Sequence, residues 1–245
     1  MRTLLLLLVA AMKLSALPIS IYGDTADTMV SGVGLFPGFL NQNQVQNGQN
    51  GGGSVAFNYT AVFVFQLPTL GPNEAITSAE FSPYVLSAGS IYPTDLYGLS
   101  YRLSSNVLGS DWYSGPGDPV NTLIQSSFIS VGIPMGRAVT SAAGNTALLN
   151  FLKAQYAAGA QGGEFIFLRL STNGTNLINA SVNFYYAADV APFLVNAVPG
   201  TTLARWQEQY SPVLNLNIEE TAAPEPATFF SIGLGLLAAG SLRRR

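Results

Sequence analysis

The chain has 245 residues, 48% of them apolar and only 9% charged, with a formal net charge of −3. It contains no cysteine and no histidine, which excludes disulfides, ordinary zinc sites and Ser-His-Asp or Cys-His catalysis. Nucleic acid is a poor partner for an acidic chain, because phosphate binding needs a basic footprint.

The N-terminus reads MRTLLLLLVAAMKLSALPIS. One arginine, an apolar run of about ten residues and then small residues around Ser15 and Ala16 follow the order of a secretory signal peptide, and the run is too short to span a bilayer. We set this segment at residues 1–19 and the exported domain at residues 20–218. The stretch NQNQVQNGQNGGG, Asn41 to Gly53, offers no apolar face and reads as a long polar loop.

From there the chain reads as β-structure. AVFVFQL, Ala61 to Leu67, is rich in β-branched and aromatic residues and is stopped by Pro68. Further strands are expected at Ser78–Leu86, Asp95–Leu103 and Ser127–Gly132. One helix interrupts: in NTALLNFLKAQYAAG, Asn145 is the expected N-cap, Leu148, Leu152 and Tyr156 share a face, and Gly159 stops the helix. EFIFLRL, Glu164 to Leu170, places Phe165, Phe167 and Arg169 on one face and Ile166, Leu168 and Leu170 on the other. Ser181–Ala187 is another strand, and a second helix is expected over Leu203–Tyr210. VLNLNIE alternates strictly, with Leu214, Leu216 and Ile218 inward and Asn215, Asn217 and Glu219 outward. Turn signals recur at Gly71-Pro72-Asn73, Gly115-Pro116-Gly117-Asp118 and Asn173-Gly174. Together these predict a mainly β fold, an antiparallel, jelly-roll-like β-sandwich with one or two short helices.

The C-terminus repeats the export theme. Residues 219–226 form a linker holding Pro224, Glu225 and Pro226, in which each proline keeps itself and its predecessor out of helix. Phe229 to Leu242 carries no charge; as a helix its 14 residues would reach about 21 Å, against a hydrocarbon core of about 30 Å. Arg243, Arg244 and Arg245 would stay on the cytoplasmic side and stop transfer. Residues 227–245 are thus read as a membrane segment with an arginine cluster. Loss of both ends would remove five of the ten basic residues and none of the thirteen acidic ones upstream of the cut, taking the net charge from −3 to −8.

The order Pro-Glu-Pro, apolar helix, arginine cluster resembles the PEP-CTERM sorting signal of Gram-negative bacteria. That resemblance implies recognition by exosortase, transient anchoring in the inner membrane, delivery to the outer surface or extracellular matrix, and association with exopolysaccharide and biofilm. The body resembles DNRLRE-type surface domains in AVFVFQLPTLGPNEAITSAEFSPYVL, through Phe65, Leu67, Pro68, Ile76, Thr77, Ser78, Ala79 and Phe81. It also does so in NFLKAQYAAGAQGGEFIFLRLS, which carries Arg169, and in SDWY at Ser110–Tyr113. Those domains are antiparallel β-sandwiches, some of them regarded as carbohydrate-binding modules.

Sugar binding is the chemistry these residues could supply most easily. Trp112 with Tyr113, or Trp206 with Tyr210, would stack on a glycan beside Asp111 or Gln207; alternatively Trp112 packs under a loop and Trp206 pins the second helix. A glycosidase needs two carboxylates at a controlled separation, and nothing in the spacing of the ten acidic residues of the body singles out a pair. Asp24 and Asp27 with backbone carbonyls could hold calcium, since hard cations take oxygen ligands, but no loop of alternating acidic residues appears; no metal and no cofactor is the expectation. The expected function is non-enzymatic, structural or binding, in exopolysaccharide, with exosortase, the membrane and the polysaccharide as partners. The alternative is a dedicated carbohydrate-binding module, and a polysaccharide hydrolase stands third.

Overall fold

The computed structural model describes residues 17–23, 28–31, 34–37, 44–50, 57–88, 93–111, 121–172, 182–187 and 209–221. Residues 1–16 of the expected signal peptide, the second expected helix up to residue 208, and the turns at residues 115–118 and 173–174 lie outside them. So does the C-terminal segment from residue 222. Residues 17–19, assigned to that peptide from the sequence, are instead paired in a strand of the domain. Among the described residues every strand pairing is antiparallel, and two sheets and one α-helix make up the fold.

The smaller sheet has three strands in the order β1 (Leu17–Tyr22), β13 (Val213–Glu220), β6 (Glu74–Ser82). The larger has ten. Its main path runs β10 (Gly136–Arg137), β7 (Tyr84–Ala88), β12 (Val182–Ala187), β4 (Gln44–Asn50), β5 (Phe57–Gln66), β11 (Phe165–Thr172), β8 (Thr94–Arg102), β9 (Asn121–Ile129). Off this path β2 (Thr28–Ser31) pairs with both β5 and β3 (Gly34–Pro37).

The expected mainly β, antiparallel fold is thus what forms, with corrections at particular elements. Strand β4 runs through the stretch read as a polar loop: its backbone is paired to β12 and to β5. The strand expected over Ser78–Leu86 is broken at Pro83. Proline carries no N–H for a central ladder, and the chain passes there from β6 in one sheet to β7 in the other. Strand β9 starts six residues earlier than expected and ends at Ile129, before the turn at Val131–Gly132.

Helix α1 spans Ala142–Ala157, and its N-cap is Ser141 rather than Asn145. The Ser141 hydroxyl accepts from Gly144 N at 3.1 Å, and Ser141 is held in turn by Gln125 Oε1 at 2.9 Å from its amide. Asn145 instead lies one turn inside and accepts a bond from the Thr140 hydroxyl. Leu148 and Leu152 are buried and Tyr156 packs against the same core, as the spacing predicts; Gly159 follows the helix at φ +108°, a conformation that favours glycine. Gly98 permits the close approach of this helix to β8, since a Cβ there would meet the Phe151 ring at 2.6 Å.

The core is two-sided about β5, β11 and β8. On one face Phe63, Phe65, Ile166, Leu168 and Leu170 meet the small sheet and α1. Phe81 of β6 sits between them, its ring centroid 5.7 Å from Phe63, 5.8 Å from Phe65 and 5.9 Å from Phe128. A bulge opposite Asn217 and Ile218 resets the inward positions of β6, so that Ile76 and Ala79 both point to the core while Thr77 and Ser78 lie exposed between them. On the other face Val62, Val64, Leu99, Val107 and Phe167 form a second cluster.

The two edges of the small sheet are treated differently. Beyond β6 the chain at residues 138–141 comes alongside: Thr140 N donates to Phe81 O at 3.1 Å and the Thr140 hydroxyl accepts from Phe81 N at 3.0 Å. Strand β1 is paired to β13 alone among the described residues. Gly23 N donates to Pro212 O, so by antiparallel alternation the amides of Ile21, Ile19 and Leu17 also point toward β13. Those of Tyr22 and Ser20 point out, and the third outward position is Pro18, which has no N–H to offer.

Candidate functional site

The acidic residues of the body were candidates for catalysis, and the structure occupies three of them with internal work. Asp111, at the end of a 3-10 turn (Gly109–Asp111), is 4% exposed. Its carboxylate takes two bonds from the Arg102 guanidinium, one of them 2.8 Å from Nη1, and a third from Leu108 N at 2.8 Å. Its carbonyl accepts from Arg169 Nη1 at 3.1 Å. Arg102 lies 4.2 Å over the Phe167 ring, and the completely buried Arg169 lies 4.8 Å from the centre of Tyr97. Asp95 accepts from Ser127 N at 2.7 Å and thereby holds the bulge of β9, where Ser127 adopts φ +49°. Glu74 closes the predicted turn at Gly71–Asn73 by accepting from Gly71 N at 2.7 Å. Asp111 is therefore a buried structural anchor.

The sequence placed Phe165, Phe167 and Arg169 on one face of their strand, and that division holds. What it could not indicate is that this face is also buried, because the covering loop and its Asp111 come from elsewhere in the chain.

Of the proposed aromatic platforms, Trp112, Tyr113 and Trp206 lie outside the described residues, as do Gln207 and the acidic pair Asp24 and Asp27. Tyr210 is described. Its ring meets Tyr84 edge-on, with centroids 4.9 Å apart and planes at 77°. Beside this pair stands Arg137, opposite Tyr84 across β10 and β7. Its Nη1 donates to Ser82 O at 2.9 Å and to Ser211 O at 2.7 Å, stapling β6 to the start of β13. Burial holds the Arg137 guanidinium below the usual arginine range, while Tyr22 and Tyr84 pull in the opposite direction; it remains a cation at neutral pH.

This corner terminates a surface. Alternate residues of the small sheet face away from the core, as the alternation of β13 predicted. Pro18, Ser78 and Asn217 come first, then Ser20, Glu80 and Asn215, with Tyr22 at the Arg137 end. The middle row is internally bonded: the Ser20 hydroxyl donates to Asn215 Oδ1 at 2.8 Å, and Asn215 Nδ2 donates to Glu80 Oε1 at 3.2 Å. An open concavity of about 270 Å³ lies over these rows. Its lining offers hydroxyl, amide and carboxylate groups, Asn145 of α1 among them; Tyr22, 37% exposed, lies outside that lining, further along the same face of β1. Tyr22, Tyr84 and Arg137 were not singled out from the sequence. They are more than 50 positions apart, and no local pattern connects them.

Among the described residues no group of three Asp or Glu side chains is placed to hold a metal ion, and no helix is long and apolar enough to cross a membrane. Residues 222–245 match the PEP-CTERM protein-sorting motif. They include Pro224, Glu225, Pro226 and the arginines at 243–245. The chain is thus an exported, exosortase-sorted protein with a transient membrane anchor. No curated protein matches it.

Proposed function

We propose that this protein is a non-enzymatic component of the extracellular polysaccharide matrix, delivered there after exosortase acts on residues 224–226. The sorting motif at residues 222–245 carries this reading. The resemblance of the body to DNRLRE-type surface domains supports it, as does a low-charge surface in which hydroxyls and amides replace ion pairs. Polysaccharide contact would fall on the outer face of the small sheet, where Ser20, Ser78, Glu80, Asn215 and Asn217 would bond sugar hydroxyls and Tyr22 would stack on a ring. A dedicated carbohydrate-binding module is the second reading, favoured by the concavity over that face. Trp112 and Trp206 remain stacking candidates under either reading.

Replacing Pro224, Glu225 and Pro226 together by alanine should leave the full-length chain in the inner membrane and clear it from the surface. Normal processing of that variant would refute the sorting assignment. Residues 17–221 should be retained by the producing strain's own exopolysaccharide, and Asn215→Ala and Tyr22→Ala should weaken retention. Absence of retention for the unsubstituted domain would remove the polysaccharide role. Depolymerisation of that polysaccharide, lost on replacing one carboxylate, would establish a hydrolase instead.

A further inference from the structure

Strand β1 enters the fold at Leu17 and β13 leaves it at Glu220, and the two are antiparallel, with Leu17 opposite Ile218. The segments that precede and follow the domain therefore depart from the same pole. The turn at residues 71–73 closes that pole: Thr221 N and the Thr221 hydroxyl both donate to Asn73 O, the latter at 2.9 Å. At the opposite pole lie Tyr22, Gly23, Pro212, Tyr84, Tyr210 and Arg137. The poles are about 26 Å apart, from the length of β13 at roughly 3.3 Å per residue.

Only residues 222–226 separate Thr221 from the apolar segment that begins at Ala227. Even fully extended, that connection reaches only about 20 Å. We infer that, before processing, the domain stands on the bilayer with the pole of Leu17, Asn73 and Thr221 toward the lipid headgroups and the Tyr22–Arg137 pole outward. This inference rests on the membrane anchoring of the sorted chain. The tether, and not adsorption, sets the orientation, because the pole carries Glu74, Glu219 and Glu220. Their repulsion from anionic headgroups is screened beyond about 8–10 Å at physiological salt, a stand-off within the reach of the tether. Exosortase must then read Pro224–Pro226 in the gap beneath a folded domain, while the outer face of the small sheet stands upright and clear of the membrane.

The chain has no cysteine, so single cysteines report position without a background. In inner-membrane vesicles holding the full, uncut chain, a donor dye would be placed at Asn73→Cys or at Gln209→Cys, with acceptor-labelled phosphatidylethanolamine in the bilayer. Both sites are exposed, and far-ultraviolet circular dichroism would verify that each variant folds. Energy transfer at position 73 should exceed that at 209 on the order of threefold, given the pole-to-pole distance. Equal or reversed transfer from vesicle-bound protein would overturn the orientation and leave the anchor intact. A chain missing from the vesicle fraction would overturn the anchor and the orientation with it. A twenty-residue Gly-Ser insertion after Thr221 should bring the two signals together, and an unchanged ratio would show that the tether does not set the orientation.

Discussion

At the scale of single residues, Asp111 ties two arginines to one turn. It is 4% exposed and neutralises Arg102, while its carbonyl receives a bond from the buried Arg169. Removing the buried partner leaves the charge of Arg102 uncompensated; for a fully buried pair that costs about 3–5 kcal/mol. Since Arg102 is 22% exposed, the loss here should be smaller, about 2–3 kcal/mol. Asp111→Ala should lower the urea midpoint accordingly without changing the slope; a loss under about 1 kcal/mol would place the pair with ordinary surface ion pairs. Tyr156 gives a pH signature. Its hydroxyl donates to Pro68 O at 2.7 Å, and burial pushes its pKa up to about 12. The folded-state value lies above the unfolded one of about 10, so the stability is fully present below pH 10. It is lost as pH rises from there toward about 12, because the unfolded chain ionises first. Tyr156→Phe should cost about 1 kcal/mol at neutral pH for the lost bond, and alkaline titration should show a shallower loss between pH 10 and 12 than in the parent. An unchanged alkaline profile would mean that the phenol is not the group responsible.

Edges decide the behaviour of whole elements. The outer flank of β6 is occupied by residues 138–141, whereas β1 is protected by Pro18, whose outward position lacks an N–H. Two outward donors remain, at Ser20 and Tyr22. Pro18→Thr restores the third and makes β1 a more regular template, and Leu17 beside it is already 63% exposed. Sedimentation velocity should then show stronger concentration-dependent self-association than in the parent. A strictly monomeric Pro18→Thr protein would mean that something other than the proline guards this edge. Legibility at this scale followed locality. The alternation in β13 is a period-two pattern within eight residues, and its inward leucines and outward asparagines were readable as they stand. The helix was equally plain, but its cap was misplaced by four residues: Asn145 has the right chemistry for a cap, yet Ser141 is the residue held in place by Gln125 across the domain. Strand β4 was hidden because its sequence carries no apolar alternation, and its pairing to the distant β12 leaves no local trace.

At the scale of the whole molecule, the small sheet joins the first and last described strands. Leu17 meets Ile218 and Glu74 meets Glu220, so the small sheet cannot form until almost the entire domain has been exported. Contacts of such sequence separation are slow to form. A chain of residues 17–221 should give cooperative unfolding. One ending at residue 212 should not, because it loses Val213, Leu214, Leu216 and Ile218 from the core, leaves β1 unpaired and leaves β6 bonded only along its outer flank. Cooperative thermal unfolding of the shorter chain by circular dichroism would contradict this account.

The sequence by itself determined the export logic and the fold class, because a sorting tail is a linear order of residues and strand patterns are local. It also determined what chemistry was impossible, since a residue type that is absent cannot act. Only the tertiary structure decided which carboxylates were spent on holding the fold, that Arg169 is interior, and that Tyr22, Tyr84, Tyr210 and Arg137 share a corner. It alone also brought Leu17 and Ile218 to one pole. These are relations between segments as much as two hundred residues apart, set by sheet pairing and burial, and no window of sequence contains them.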